Sequence, residues 1–423
     1  MSSNFRRFLI LLAMGVATTV AASGAEESKK KQTKPAAAVA AGPKAGLKTP
    51  GVLIPAATLV AEAEIELDSP AVGMQFNDAA LIATATAVKR IDPKTNKPAE
   101  PLVSVKVENG CGGMLSAFNA FWVPACGNHT LAKIETAGGG RGGRGGPGGG
   151  PGGDTRRPDA AKPSDAPKPD AAKPEAAQAP AEAKPVAGEK PQRGPGGTGA
   201  GRPAGAPGAM TLAAHIPVGN KVTARNAVAA NEDSIWLLAD SKTTLQRIDP
   251  KENTVVGEMR LAPNCTSILS ADSSIWVTCP GEDRVARIDP KTSLVTKRID
   301  VAAEPIALAF GEGSVWVLGR KEGKISRIDP KTNKVIATVD LGIPGAATAS
   351  LAFGDGSLWA SLPGFPVIRI SPTAEKEKVL QEFHGEGGGG LITFGLGSVW
   401  VASPGSNSVK RYDPKRIVAT LAE

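Results

Sequence analysis

The chain has 423 residues, and 49 Lys and Arg against 41 Asp and Glu give a formal charge of +8. The excess is local: residues 1–25 carry +2, 26–59 carry +4 and 137–209 carry +4, which leaves −2 for the rest. A nearly neutral folded part argues against a basic nucleic-acid-binding face, and any such binding would fall to the tails.

In chain order, Arg6 and Arg7 precede a 13-residue apolar run, Phe8 to Val20, with Ser23-Gly24-Ala25 before Glu26. This is the pattern of a secretory signal over 1–25, too short to span a bilayer as a helix. Export to the periplasm or the extracellular space is expected, with no membrane span once the signal is removed. Cysteine lipidation is excluded because the first Cys is Cys111. Residues 26–59 are rich in Lys, Ala and Pro and read as a disordered spacer. The propeller-forming chain is then 60–423, interrupted by 137–209. That 73-residue tract holds 20 Gly and 13 Pro, with Val186 its only large aliphatic side chain. It buries too little to offset its ordering entropy and is expected to be disordered. It includes Arg141-Gly142-Gly143-Arg144-Gly145-Gly146, a run of the kind that binds RNA, but export and the Lys-Pro, Asp and Ala alternation that follows favour a solvated spacer.

The remaining chain repeats. Trp236, Trp276, Trp316, Trp359 and Trp400 are 40, 40, 43 and 41 residues apart. Trp122 is 114 residues before Trp236, or 41 once the tract is removed, and Ile82 stands 40 residues before Trp122. Arg-Ile-Asp-Pro recurs in step at 90–93, 247–250, 287–290 and 327–330, with variants at 369–372 and 411–414. From Trp to the Asp position is 13 residues in five units and 12 after Trp359. A period near 40 with strand-like content predicts propeller blades. In the unit 305–341, four strands are expected: Ile306–Phe310, Ser314–Leu318, Lys324–Ile328 and Lys334–Leu341. Gly311-Glu312-Gly313 forms the first turn and Asp329 to Asn333 the third. The fold class is therefore all-β, a seven-bladed β-propeller of four-stranded blades with a disordered loop insertion in blade two. Outer-strand segments number eight, since Ala61–Leu67 precedes the first unit and Arg416–Ala422 follows the last. One of the two closes the ring, and the sequence does not choose between them.

The four cysteines fall at matching places. Cys111 and Cys265 each lie 11 residues before their Trp, and Cys126 and Cys279 lie 4 and 3 after it. Two hairpin-spanning disulfides, Cys111–Cys126 and Cys265–Cys279, are expected, as suits an exported protein.

Gly313-Ser314-Val315-Trp316-Val317, followed by Ile328-Asp329-Pro330-Lys331-Thr332-Asn333-Lys334-Val335, resembles the repeat of secreted YVTN-type and streptogramin-lyase-like propellers. The resemblance implies the propeller fold over about 291 residues. The lyases of that group carry Trp-Phe-Thr-Glu in the second strand and catalytic His residues near the starts of inner strands. Here the Glu place holds Ala239, Cys279, Gly319, Leu362 and Ser403, and no His stands at those starts. Catalysis is thus less expected than binding.

Propeller ligands often sit where inner strands begin. Asp68, Glu108, Asn109, Arg225, Asn264, Glu304 and Glu386 lie there and are candidates to ring one mouth of the channel. Their oxygens suggest Ca²⁺ or Mg²⁺ as a candidate cofactor, against the plain alternative of polar loop tips. His129 and His384 are expected on loops of one face with a blade between them, and His215 on an outer strand. The expectation is a monomeric binding protein for a small ligand or a protein. A metal-assisted lyase or lactonase, and a structural cell-envelope component using its basic tails, are the alternatives.

Overall fold

The computed structural model describes residues 50–99, 104–136, 209–219, 222, 226–240, 244–373 and 378–421. The expected signal and nearly all of the 137–209 tract lie outside these residues. Seven sheets follow one another along the chain, six of them running from an inner to an outer strand and the seventh completed by an N-terminal strand. Each inner strand touches the next, and the seventh touches the first, which closes a ring. The architecture is the expected seven-bladed propeller.

Blade 5 shows how the repeat makes a blade. Pro305–Gly311, Ser314–Gly319, Lys324–Asp329 and Lys334–Asp340 pair in sequence order. The first hairpin turns at Glu312 and Gly313, with φ of 50° and 64°. Two successive positive φ values match the twist of the flanking strands. The Asp329 carboxylate accepts from the Lys331 N–H at 2.9 Å, and Asn333 takes φ of 57° to start the outer strand. Blades 3, 4 and 6 pair four strands in the same order within 228–260, 267–300 and 350–384, with no α-helix among their described residues. The hairpin after Trp359 is shorter, pairing Leu362 with Phe365, which accounts for its 12-residue spacing.

The six Trp side chains are 0–1% exposed. Each indole N–H donates to an acceptor five residues earlier, such as the Gly311 carbonyl from Trp316 at 3.0 Å. Burying an aromatic body while satisfying its one polar atom makes Trp suited to this central place. Gly354 shows why the residue ending an inner strand is small. A Cβ there would collide with the Phe394 ring of the next blade.

The Arg of Arg-Ile-Asp-Pro does more than fill a strand. The Arg327 guanidinium lies 4.9 Å over the Trp316 ring, and its Nε donates to Ser314 Oγ at 2.9 Å. Its Nη1 donates to the Pro372 carbonyl of blade 6 at 3.1 Å. Arg287 reaches Pro330 of blade 5 in the same way. Lys133 reaches Pro250 at 3.0 Å, and Arg411 of blade 7 reaches Pro93 of blade 1 at 2.7 Å. In blades 2, 4, 5 and 7 the cation at this place thus clasps the next blade's proline turn, whereas Arg90, Arg247 and Arg369 bond within their own blades, to Asp78, to Ser234 and Asp233, and to Ser357 and Gln381.

Ring closure is settled by the N-terminal segment. Ala63–Glu66 pairs antiparallel with Ser408–Tyr412 as the outer strand of blade 7. The described residues of the other candidate, 416–422, form no strand: Pro414–Ala419 is a short helix. Asp413 caps it by accepting from the Lys415 N–H at 2.8 Å, with Pro414 in the first turn. Buried Ile417 anchors the helix, and Gln381 of blade 6 donates to the Ile417 carbonyl. The last residues of the expected 26–59 spacer are ordered. Val52–Pro55 forms a fifth strand, parallel to the outer strand of blade 6. Ile54, Ala56 and Leu59 pack on the core there, enough apolar contact to hold the segment.

The insertion lies where the repeat places it. Thr130–Thr136 pairs with Met210–Pro217, and Thr136 faces Met210 across the hairpin. Blade 1 is the irregular one: its outer edge is split into Lys97–Pro98 and Ser104–Lys106, both paired with Ala87–Asp92.

Candidate functional site at one mouth of the ring

In each blade the start of the inner strand and the loop after the second strand lie at one end. The Asp-Pro turns lie at the other. Both disulfides are at the first end. Cys111 and Cys126 have Cα atoms 5.9 Å apart, and Cys265 and Cys279 have theirs 4.1 Å apart. The expected pairing is the observed one. Two disulfides suit an oxidising compartment.

Cavities open at and below this mouth among the described residues. The channel itself holds about 180 Å³ and is lined by inner strands of all seven blades, including Gln75, Met114, Asn226, Ser267, Leu308, Ser350 and Thr393. None of its lining residues is charged. Polar side chains here join blades: Gln75 donates to the Met114 carbonyl at 2.8 Å and Asn226 to the Ile268 carbonyl at 3.1 Å.

A cavity of about 480 Å³ opens between blades 4, 5 and 6. Its wall brings together Asn264 and Glu304, two of the residues expected from sequence, with Thr266, Arg320 and Thr348. Ile306, Ala347 and Ala349 supply the apolar part. Asn264 and Glu304 both have positive φ, 63° and 56°, which turns the chain sharply into blades 4 and 5. The Glu304 N–H donates to Asp283 Oδ1 at 2.8 Å, and its carbonyl accepts from the Arg320 N–H at 3.0 Å. Arg320 Nε donates to Glu304 Oε2 at 2.7 Å, with side chains 41% and 36% exposed. An ion pair this wet is worth about 0–1 kcal/mol and opens cheaply to a competing polar group. Sequence reasoning missed Arg320. Its signal was a departure from the repeat: after the second strand, blades 4, 6 and 7 place Pro280, Pro363 and Pro404 close by, whereas blade 5 has Arg320.

The other expected residues do not converge with these two. Asp68 accepts from the Thr86 hydroxyl at 2.5 Å and pairs with Lys89 at 3.0 Å. The Thr86 hydrogen bond, with help from Lys89, holds its carboxyl below the usual range. Glu108 accepts from Asn128 at 2.9 Å, and the Asn109 carbonyl accepts from the Cys126 N–H at 2.9 Å. Glu386 is exposed before the Gly run, and Arg225 lies outside the described residues. Gly387–Gly389 have φ of 71–87°, and the Gly388 and Gly389 N–H groups donate to Ser403 and Ser361. This run serves close packing, since a Cβ at Gly388 or Gly390 would strike backbone carbonyls.

His215 is exposed on its outer strand. His129 is on the mouth loop of blade 2, whereas His384 ends the outer strand of blade 6, paired with Pro55. Two blades therefore separate them, rather than one. Among the described residues, no group of three or more His, Cys, Asp or Glu is placed to hold a metal ion. None of the described helices is long and apolar enough to cross a membrane. The positions of the lyase-type Glu are structural here: Cys279 is in a disulfide, Leu362 is fully buried, and Gly319 packs against the Ala302 carbonyl.

No family model and no curated protein matches the sequence. Among solved structures, the chain is similar to one from the crystal structure of a mitotic checkpoint complex, with a TM-score of 0.56. The match covers 91% of this chain and 98% of that one, at 8% sequence identity. At that identity the likeness shows the propeller fold alone.

Proposed function

We propose that this propeller is an exported binding module that holds a ligand or a protein partner in the cavity between blades 4, 5 and 6. The observation that supports this reading is the cavity itself. At about 480 Å³ it falls within the range of ligand sites, with polar groups set on an apolar floor. Arg320 and Glu304 offer one cation and one carboxylate, Asn264 an amide, and Thr266 and Thr348 hydroxyls. The kinship to YVTN-type propellers rests on the repeat motifs quoted above.

The test is site-specific photo-cross-linking in the native extract. A photoreactive residue replaces exposed Ala347 at the mouth or exposed Glu312 on the opposite face. The reading predicts adducts from position 347 that disappear in Arg320→Ala, and none from 312. Adducts from 312 alone, or adducts at 347 indifferent to Arg320, would overturn it. A cation at the same mouth is tested apart, by thermal melting with Ca²⁺ or Mg²⁺ against EDTA. A metal-dependent shift abolished by Glu304→Gln would favour the metal-assisted alternative.

A further inference from the structure

The two disulfides occupy matching places in blades 2 and 4, yet their surroundings differ. Cys265 and Cys279 are 6% and 1% exposed and sit within the core cluster around Trp236. Cys111 and Cys126 are only half-buried. Both line a second mouth cavity of about 360 Å³, between blades 7, 1 and 2. Its other walls include Pro70, Val72, Leu391 and Pro404, and no lining residue is charged. A molecule in this cavity meets a disulfide as the wall's one electrophile.

The backbone around this bridge does not depend on it. The Cys111 N–H donates to the Pro124 carbonyl and the Cys126 N–H to the Asn109 carbonyl, both at 2.9 Å. Gly110 pairs with Ala125 across the same hairpin, and its N–H donates to Ala85 of blade 1 at 2.9 Å. Breaking the S–S bond leaves these bonds in place, so blade 2 keeps its register. Exchange at a disulfide is governed by access to sulfur and by the attacking thiolate, and access is what separates the two bridges.

We propose that Cys111–Cys126 is a site of thiol–disulfide exchange, whose substrate is an organic thiol, free or on an extended peptide, that enters the apolar cavity. The thiol loses its proton, and its sulfur forms a bond to one cysteine sulfur as the Cys111–Cys126 bond breaks. The other cysteine leaves as a thiolate and takes up a proton. A second thiol then attacks the mixed disulfide, giving the dithiol form of the protein and the disulfide of the two thiols. Two electrons pass from the thiols to the cysteine pair, and the reverse sequence re-forms the Cys111–Cys126 bond while reducing a disulfide substrate to two thiols. This site is separate from the cavity at Glu304 and Arg320, and its test does not involve that cavity.

The experiment treats the oxidised full-length protein with reduced glutathione or dithiothreitol, quenches by alkylation over time, and maps labelled peptides by mass. Expected labelling of Cys111 and Cys126 is about tenfold or more faster than that of Cys265 and Cys279, because access limits the rate. Circular dichroism and Trp fluorescence should stay native, and a glutathione adduct should be found on Cys111 or Cys126. Pro404→Trp, on an exposed loop beside the cavity, should slow labelling of that pair several-fold and leave the other pair unchanged. Equal rates for the two pairs, labelling only as the protein unfolds, or indifference to Pro404→Trp would overturn the proposal. The rate comparison within the unmodified protein stands even if the variant fails to fold.

Discussion

The two ends of this ring follow different rules. At the turn end, one device recurs in blades 4, 5 and 7: Trp under an Arg whose donors are shared between a Ser and the next blade's proline turn. At the mouth, the blades diverge. Blade 2 carries a half-buried disulfide, blade 5 a wet ion pair, and blade 7 begins on a Gly run. A residue that recurs at a fixed period answers a demand shared by the blades, which is to brace the blade itself and, in blades 2, 4, 5 and 7, to hold its neighbour. A residue that departs from the period answers something local. The recurring residues are therefore poor functional candidates however polar they are, and the departures at the mouth are better ones.

The largest expected effect comes from removing the centre of the recurring device. Trp316→Ala should cost about 3–5 kcal/mol, read as a lowered chemical-denaturation midpoint, because it empties a fully buried site. Gly354→Ala should cost about 1–3 kcal/mol through collision with the Phe394 ring, and Gly356→Ala, at a turn with open space but a φ of 64°, should cost about 1–2 kcal/mol through backbone strain alone. Arg327→Ala should cost about 1–3 kcal/mol, since it strands the Pro372 carbonyl and the Ser314 hydroxyl. Arg320→Ala at the mouth should stay within about 0.5 kcal/mol, as expected for an exposed pair.

The smallest effect concerns acid. Asp329 and Asp289 have carboxyls held below their ordinary range, first by the backbone N–H of Lys331 and Lys291. For Asp249 the Glu252 N–H leads, followed by that of Lys251. A depressed pKa favours the folded state above the unfolded value of about 4. That stability is lost as the pH falls through the folded values. Asp329→Asn should flatten the acid limb of a melting-against-pH curve while leaving the mouth unaffected.

The sequence made the blades legible because each is a local stack of hairpins whose landmarks recur. The jump from Trp122 to Trp236 located the insertion, and shared repeat coordinates paired the cysteines. The identity of the closing strand was hidden, because 61–67 and 416–422 both carry strand-like residues. The choice rested on Asp413 and Pro414 capping a helix and on Ile417 finding a buried place. Val52–Pro55 was masked by the Lys/Ala/Pro composition around it, and only its contacts with blade 6 order it. Mouth residues were legible as a class rather than as a site. Asp68 and Glu108 found partners nearby, while Asn264 and Glu304 met Arg320 through turns whose shape depends on adjoining blades.

The measurement that tests the division of labour most directly sets Arg327→Ala beside Arg320→Ala, reading both the denaturation midpoint and cross-linking from position 347. The account predicts that Arg327→Ala lowers the midpoint and keeps the adducts. Arg320→Ala should keep the midpoint and lose them. Both variants losing both properties, or the pattern reversed, would contradict it.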